Sequence, residues 1–405
     1  MLYQFYQAYV DALTPLRSMA AGFGQMLGQP WPGLPESKLQ RSIVAVCDLF
    51  AEGRLQHHRP DFTIDSTPIG NHLVAVREER TLVKPFGTLL HFAKEAPAPQ
   101  PRVLLVAPMS GHFATLLRGT IRTMLPEHDV YVTDWHNARD VPLSDGDFDF
   151  DDFIDYMIAF LEAIGPGAHV VAVCQPAVAV LAAVALMATS RHPCEPRSMT
   201  LMAGPIDTRI NPTVVDDLAM ERSIDWFETN LISYVPVCHP GAFRRVYPGF
   251  LQLSAFMAMN LDRHIRAFSR QYGNLVDGEE VASAAHRAFY DEYFAVMDRS
   301  APFYLQTGRR IFQQHLIARG KLVSRGRPVE PGAIRRTALL TVEGENDDIC
   351  AIGQTLAAQE LCSGLHPMRK HHHLQTGVGH YGVFSGRRWA AEIYPRVRTL
   401  IQSNG

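Results

Sequence analysis

Three side chains of the kinds that cooperate in acyl transfer stand far apart in this 405-residue chain: Cys174, Asp347 and His380. Each follows a strand-like run: the apolar "HVVAVC" for the thiol and "TALLTVEGEND" for the carboxylate, and the polar "KHHHLQTGVGH" for the imidazole. A thiol ionises near ~8.5, so at neutral pH it is a good nucleophile only beside a base or at a helix N-terminus. Cys174 has both in prospect, His380 as base and a helix starting near Pro176. The base needs one tautomer held in place, and a carboxylate does that. Asp347 takes that role in the pattern G-x-x-D after the strand, while its neighbour Asp348 reads as a helix cap or surface charge. A tetrahedral oxyanion needs backbone donors. The N–H of Gln175 is one, and Met109 or Ser110, in the loop after "RVLLVAP", supplies the other. The remaining cysteines (47, 194, 238, 350 and 362) read as inert small apolar residues.

The elements that must position these groups are legible as a rhythm. Two helices open the chain, the first carrying Leu2, Phe5, Tyr6, Tyr9, Val10 and Leu13 at helical spacing and the second covering about 38–51. A Gly- and Pro-rich connection, 22–35, separates them. The first is read as packed on the domain rather than lying on a foreign surface. Antiparallel strands follow over 72–93. From residue 102, strands ("RVLLVAP", "DVYVTDW", "HVVAVC", "SMTLMAGP") alternate with helices (114–125, "FDFDDFIDYMIAFLEAIG", 177–188). That alternation implies an α/β protein with a mostly parallel sheet and helices on both faces. It stops at Ile206, where an aromatic-rich, mainly helical stretch begins. It resumes at about 336 with "TALLTVEG", a helix near 352–361, "KHHHLQT" and a closing helix, 387–402. The division is therefore 1–205 for the N-terminal helices and first part of the core, 206–335 for an inserted helical lid, and 336–405 for the rest of the core. Nucleophile, acid and base occur in the order of the α/β-hydrolase fold, whose nucleophile sits on a sharp strand-to-helix turn. The elbow Ala172-Val173-Cys174-Gln175-Pro176 departs from the usual glycine at both flanks. Ala172 is still small, and Pro176 suits a first helical turn.

Composition excludes several classes. Hydrophobic residues make up 47% and charged residues 20%, with a net charge of −3, so there is no basic field for nucleic acid. The six cysteines lack C-x-x-C spacing, which argues against a zinc site or a disulfide framework and for a reducing compartment. The N-terminus has no basic n-region and Asp11 interrupts its apolar pattern, so it is not read as a secretory signal. No apolar run is long enough for a transmembrane segment. His371–His373 alternate across a strand and cannot readily converge on one ion. No metal and no cofactor are expected.

Several long stretches resemble one family, the intracellular poly(3-hydroxybutyrate) depolymerases. They are "TDWHNARDVPL", "VCQPAVAVLAAVALMA", "MAGPIDTRINPT", "VEGENDDICAIGQT" and "GVGHYGVFSG", together with the opening "MLYQFYQ". The resemblance implies a cytoplasmic enzyme acting on amorphous polyhydroxyalkanoate granules through a Cys–Asp–His triad, with Cys174, Asp347 and His380 at the matching positions. Water is the expected acyl acceptor. Coenzyme A is the alternative, for which Arg244, Arg245, Arg309 and Arg310 offer phosphate partners. A polyhydroxyalkanoate synthase is a rival that the missing glycines at 172 and 176 disfavour. A non-catalytic granule-coat protein is a second. Assembly into a homo-oligomer is left open by the sequence.

Overall fold

The computed structural model describes residues 2–29, 37–259 and 261–405. Helices α1 (Leu2–Leu27) and α2 (Lys38–Glu52) pack as an antiparallel pair. The first helix runs on through Pro15 and Gly22, past the expected end at 22; residues 30–36 of the expected connection lie outside the described residues. Its first turn is pinned to the body by Tyr3, fully buried, whose hydroxyl donates to Asp298 at 2.5 Å. Phe5, Tyr9, Leu16, Met19, Phe23 and Met26 face outward, so only one side of this helix packs as expected.

Strands β1 (Ser66–Ile69), β2 (His72–Lys84) and β3 (Gly87–Lys94) form an antiparallel meander. Then come β4 (Arg102–Val106), α3 (Arg118–Met124), β5 (Asp129–Trp135), α4 (Phe150–Ile164), β6 (His169–Val173), α5 (Pro176–Thr189) and β7 (Ser198–Met202). Buried on both faces, the parallel strands are continuous apolar runs, which is why the sequence shows them so plainly.

The stretch 206–335 lies between β7 and the next strand of the same sheet. It holds α6 (Val214–Glu221), α7 (Ile224–Leu231), β8 (Ser233–Tyr234), β9 (Arg245–Tyr247), α8 (Gly249–Met259), α9 (Leu261–Asp277), α10 (Glu280–Tyr293), β10 (Arg299–Ser300), α11 (Ala301–Thr307) and the hairpin β11 (Val323–Ser324) and β12 (Arg327–Pro328). It is mainly helical, and β8, β9 and β10 add a small antiparallel sheet that its sequence does not announce.

The core resumes with β13 (Ala338–Gly344), α12 (Ala358–Leu361), β14 (Lys370–Gln375), α13 (Gly386–Arg388) and α14 (Tyr394–Gln402). The helix expected over 352–361 shrinks to α12, because its first half is drawn into a loop around a buried carboxylate described below. The nine strands are ordered β1-β2-β3-β5-β4-β6-β7-β13-β14, parallel from β5 to β14. This is the α/β-hydrolase arrangement: a mostly parallel sheet with crossover helices and a helical insertion. Helix α5 is buried all round from Pro176 to Met187, as suits a helix that is apolar on every face.

Candidate active site

Strands β6, β7, β13 and β14 are parallel neighbours, so their carboxyl ends open on one edge, where sites of open α/β sheets form. Val173 pairs with Met202, Met202 with Val342, and Gly344 with Gln375. Cys174 follows Val173 directly, Asp347 stands three residues past Gly344, and His380 five past Gln375.

Cys174 has φ 66°, a left-handed conformation that a side chain adopts at a cost of ~1 kcal/mol or more. Its N–H is held by Met202 O at 2.8 Å, and its carbonyl accepts from Ala177 N at 3.0 Å. The turn thus hangs from the end of β7 and feeds directly into α5. The thiol is partly exposed, as a nucleophile must be. Sequence reading missed the neighbour that permits this turn. A Cβ on Gly204 would stand 2.2 Å from Ala177 Cβ and 3.1 Å from Cys174 O, so only glycine fits against the elbow.

His380 is buried, and its Nδ1 donates to Asp347 Oδ2 at 2.8 Å, with Oδ1 at 3.1 Å. Asp347 Oδ1 also accepts the N–H groups of Ile349 and Cys350, both at 2.9 Å, which fixes the carboxylate. Asp348 is exposed, so of the two adjacent aspartates Asp347 is the one that meets the imidazole. Burial works against a charged His380. It is outweighed by the attraction of Cys174 and Asp347 and by hydrogen bonds to both, and the imidazole is held well above its ordinary value. The structure therefore brings Cys174, His380 and Asp347 together, with Nδ1 engaged by the acid and Nε2 left for the thiol.

The residues read as oxyanion donors keep their N–H groups unpaired: among the described residues, those of Gln175, Met109 and Ser110 reach no protein acceptor. The Met109–His112 loop is stitched to the inserted stretch by Met297 N to Gly111 O at 2.8 Å and by His112 Nε2 with Tyr293 O at 3.2 Å. Burial pushes His112 down to about 4, so it is a neutral structural group.

Three further groups escaped sequence reading. Glu343, fully buried in β13, accepts from the N–H groups of Gly353, Thr355 and Leu356 at 2.8–3.0 Å and so gathers the loop that follows Asp347. Gln175 carries a buried side-chain amide with neither atom paired. Arg299, from β10, donates to Met109 O at 3.3 Å. No sequence pattern marks them: Glu343 gathers a loop rather than a helix, Arg299 reaches across 190 residues, and Gln175 stands out only by its lack of a partner.

Elsewhere, His372 Nδ1 lies 3.0 Å from Thr341 Oγ1 and His373 Nε2 2.9 Å from Gln375 Oε1. Among the described residues no three His, Cys, Asp or Glu side chains are grouped as metal ligands. None of the described helices is long and apolar enough to cross a membrane.

Residues 203–405 match the family described as PHB de-polymerase C-terminus. The chain belongs to this family. The match covers half of the chain, from the end of β7 to the C-terminus, and includes Asp347 and His380. No curated protein matches the chain. Among solved structures, a 2-hydroxy-6-oxo-6-phenylhexa-2,4-dienoate hydrolase from a Rhodococcus strain is similar at 13% identity, with 81% of this chain and 99% of that one covered and a TM-score of 0.45. A monoacylglycerol lipase of Paleococcus ferrophilus is similar at 12% identity, 76% and 97% coverage and a TM-score of 0.41. A thermophilic esterase of Thermogutta terrifontis is similar at 11% identity, 80% and 98% coverage and a TM-score of 0.41. Family membership makes the protein a hydrolase of the PHB de-polymerase group.

Proposed function

We propose that this hydrolase cleaves the ester bonds of amorphous poly(3-hydroxybutyrate) on cytoplasmic storage granules, with Cys174 as nucleophile, His380 as acid and base, and Asp347 as its orienter. The observation that carries the reading is the buried His380–Asp347 pair beside a cysteine held in a left-handed turn at a strand end. His380, whose imidazole is held well above its ordinary value, is the base that takes the proton of the Cys174 thiol. The thiolate adds to the ester carbonyl, and the oxyanion is received by the N–H of Gln175 and by Met109 or Ser110. As the C–O bond breaks, His380 gives its proton to the departing alkoxide. Neutral His380 then takes a proton from water, which attacks the thioester and releases the acid and the Cys174 thiolate. The 206–335 insertion acts as the lid over this edge.

Water is the acceptor that the surroundings favour. Of the four arginines that could bind coenzyme A phosphates, three are paired, Arg244 with Val141 O, Gly146 O, Pro142 O and Asp147, Arg245 with Glu228, and Arg310 with Asp151, which leaves only the exposed Arg309. The test is to incubate amorphous granules with the protein and analyse the products by mass spectrometry, with and without coenzyme A. Free 3-hydroxybutyrate or its oligomers, lost in Cys174→Ala, are expected. Faster formation of 3-hydroxybutyryl-CoA than of free acid would make the protein an acyltransferase. Undiminished release by Cys174→Ala would remove the thiol from the chemistry.

A further inference from the structure

Arg299 is an arginine without a counter-ion beside the nucleophile. Among the described residues no carboxylate lies within ion-pair distance of it, although twelve other arginines have one. Its Nε is sealed from solvent and has no hydrogen-bond partner. Nη1 reaches only Met109 O, on the loop that offers backbone donors to the oxyanion. The guanidinium carbon lies 4.9 Å from the Tyr247 ring centre and 5.0 Å from that of Tyr304. These two rings are themselves stacked 4.1 Å apart and 3° from parallel. Two phenols, Tyr247 buried and Tyr304 half-buried, therefore flank the cation on one side. The side chain as a whole remains partly exposed, like Cys174. Its charge is close enough to act on Cys174.

Rings and a lone carbonyl do not compensate a guanidinium taken out of water, and neither does a neutral ester. A bidentate carboxylate does, received across the two terminal nitrogens, of which Nη2 has no protein partner among the described residues and is not sealed as Nε is. Hydrolysis of a 3-hydroxyalkanoate ester offers such a group at one place only, the free end of the chain. In the last unit, –O–CH(CH3)–CH2–COO−, the carboxylate carbon is four bonds from the scissile carbonyl, roughly 5 Å when extended.

We propose that Arg299 receives the terminal carboxylate of the hydroxyalkanoate chain, so that the site favours chain ends and short oligomer acids over ester bonds in a chain's interior. This rests on the esterase reading above. Arg299 undergoes no bond change. The C–O bond that breaks releases one 3-hydroxyalkanoate unit, protonated by His380 at its hydroxyl and held at its carboxylate by Arg299.

The rival role for Arg299 is as counter-ion to the Cys174 thiolate, and the experiment separates the two. The dimer of 3-hydroxybutyrate is offered as the free acid and as its methyl ester. The wild type should prefer the acid in kcat/KM by about ten-fold or more, as expected for one charge-assisted bidentate contact. Arg299→Gln should bring that ratio near one, the loss falling on the acid and leaving the methyl ester within about three-fold. Equal loss on both substrates would overturn the proposal in favour of the counter-ion role. So would a wild type indifferent to the methyl group. Should Arg299→Gln fail to fold, inhibition of the wild type decides. Free 3-hydroxybutyrate must compete with a neutral ester substrate better than methyl 3-hydroxybutyrate does, and equal inhibition overturns the proposal. Hydrolysis of either dimer that is lost in Cys174→Ala upholds the esterase reading whatever the acid-to-ester ratio. No hydrolysis of either dimer removes both readings.

Discussion

At the scale of single residues, the difference between Asp347 and Asp348 is one of direction. Asp347 points inward and gives both oxygens to His380, while Asp348 is exposed. Asp347→Asn should therefore cost a few orders of magnitude in kcat with little change in folding, since the imidazole loses the partner that fixes its tautomer. Asp348→Asn should cost far less; the opposite order in a kinetic comparison would shift the role by one residue. Thiol reactivity gives a second check. Cys238 is the exposed cysteine and Cys174 only partly exposed, so access alone ranks Cys238 first. Iodoacetamide followed by peptide mass spectrometry should nevertheless find Cys174 alkylated faster, because the imidazole beside it is a base that can take the thiol's proton. Cys238 reacting first at pH 7 would mean that His380 does not activate the thiol. Cys174 and Asp347 could be read from sequence because each follows an apolar run, and His380 because it lies just past the last strand in the order nucleophile, acid, base. Gly204, Glu343 and Arg299 could not, because what matters in each is a tertiary contact, or a missing one, that no motif marks.

At the scale of elements, the elbow depends on how closely the β7 turn approaches the start of α5. A Cβ at 204 would overlap Ala177 Cβ at 2.2 Å. Gly204→Ala should lose ~2 kcal/mol or more of stability, together with activity, since the elbow must shift. Adding Ala177→Gly removes the overlapping atom and should restore part of both. Denaturation of the two single variants and the double variant would reveal the coupling, and strictly additive losses would mean the turn relaxes without strain. The parallel strands were legible for the same reason that the elbow is tight: buried on two faces, they have little choice of residue. Other elements were obscured by tertiary contacts. β1 is a four-residue edge strand containing Pro68, a residue that argues against a strand in isolation. The first half of the expected 352–361 helix is instead wrapped around Glu343, which takes the N–H groups a helix would use otherwise. Helix α1 runs through Pro15 and Gly22 against their usual meaning, and it is Gly24 that admits α2, with Cys47 Cβ only 3.1 Å from a Cβ built on it.

At the scale of the whole molecule, buried imidazoles set the response to acid. Burial lowers His57 to about 3 and His112, His128 and His169 to about 4. A histidine depressed in the folded state is protonated first in the unfolded chain. Its contribution is whole above the ordinary value of ~6.5 and is lost as pH falls from there toward the folded value, at ~1.4 kcal/mol per pH unit and per group. Two sets of groups lean the other way. His380, raised, contributes below ~6.5 and loses that contribution as pH rises through its folded value. Asp134, Asp216, Asp298 and Glu292, whose carboxyls burial pushes up, take protons first in the folded state. A bulk pH curve mixes these signs, so the informative experiment changes one group. His169 is buried in β6, with its Nδ1 2.8 Å from Ser198 Oγ, and Asn can keep that hydrogen bond while removing the titration. Urea unfolding of wild type and His169→Asn at pH 7.5, 6 and 5 should show the variant losing less stability on acidification, by up to ~1.4 kcal/mol per unit below pH 6.5. Parallel decline of the two proteins would show that His169 is not held neutral by its burial, and the acid sensitivity would then have to come from the other three.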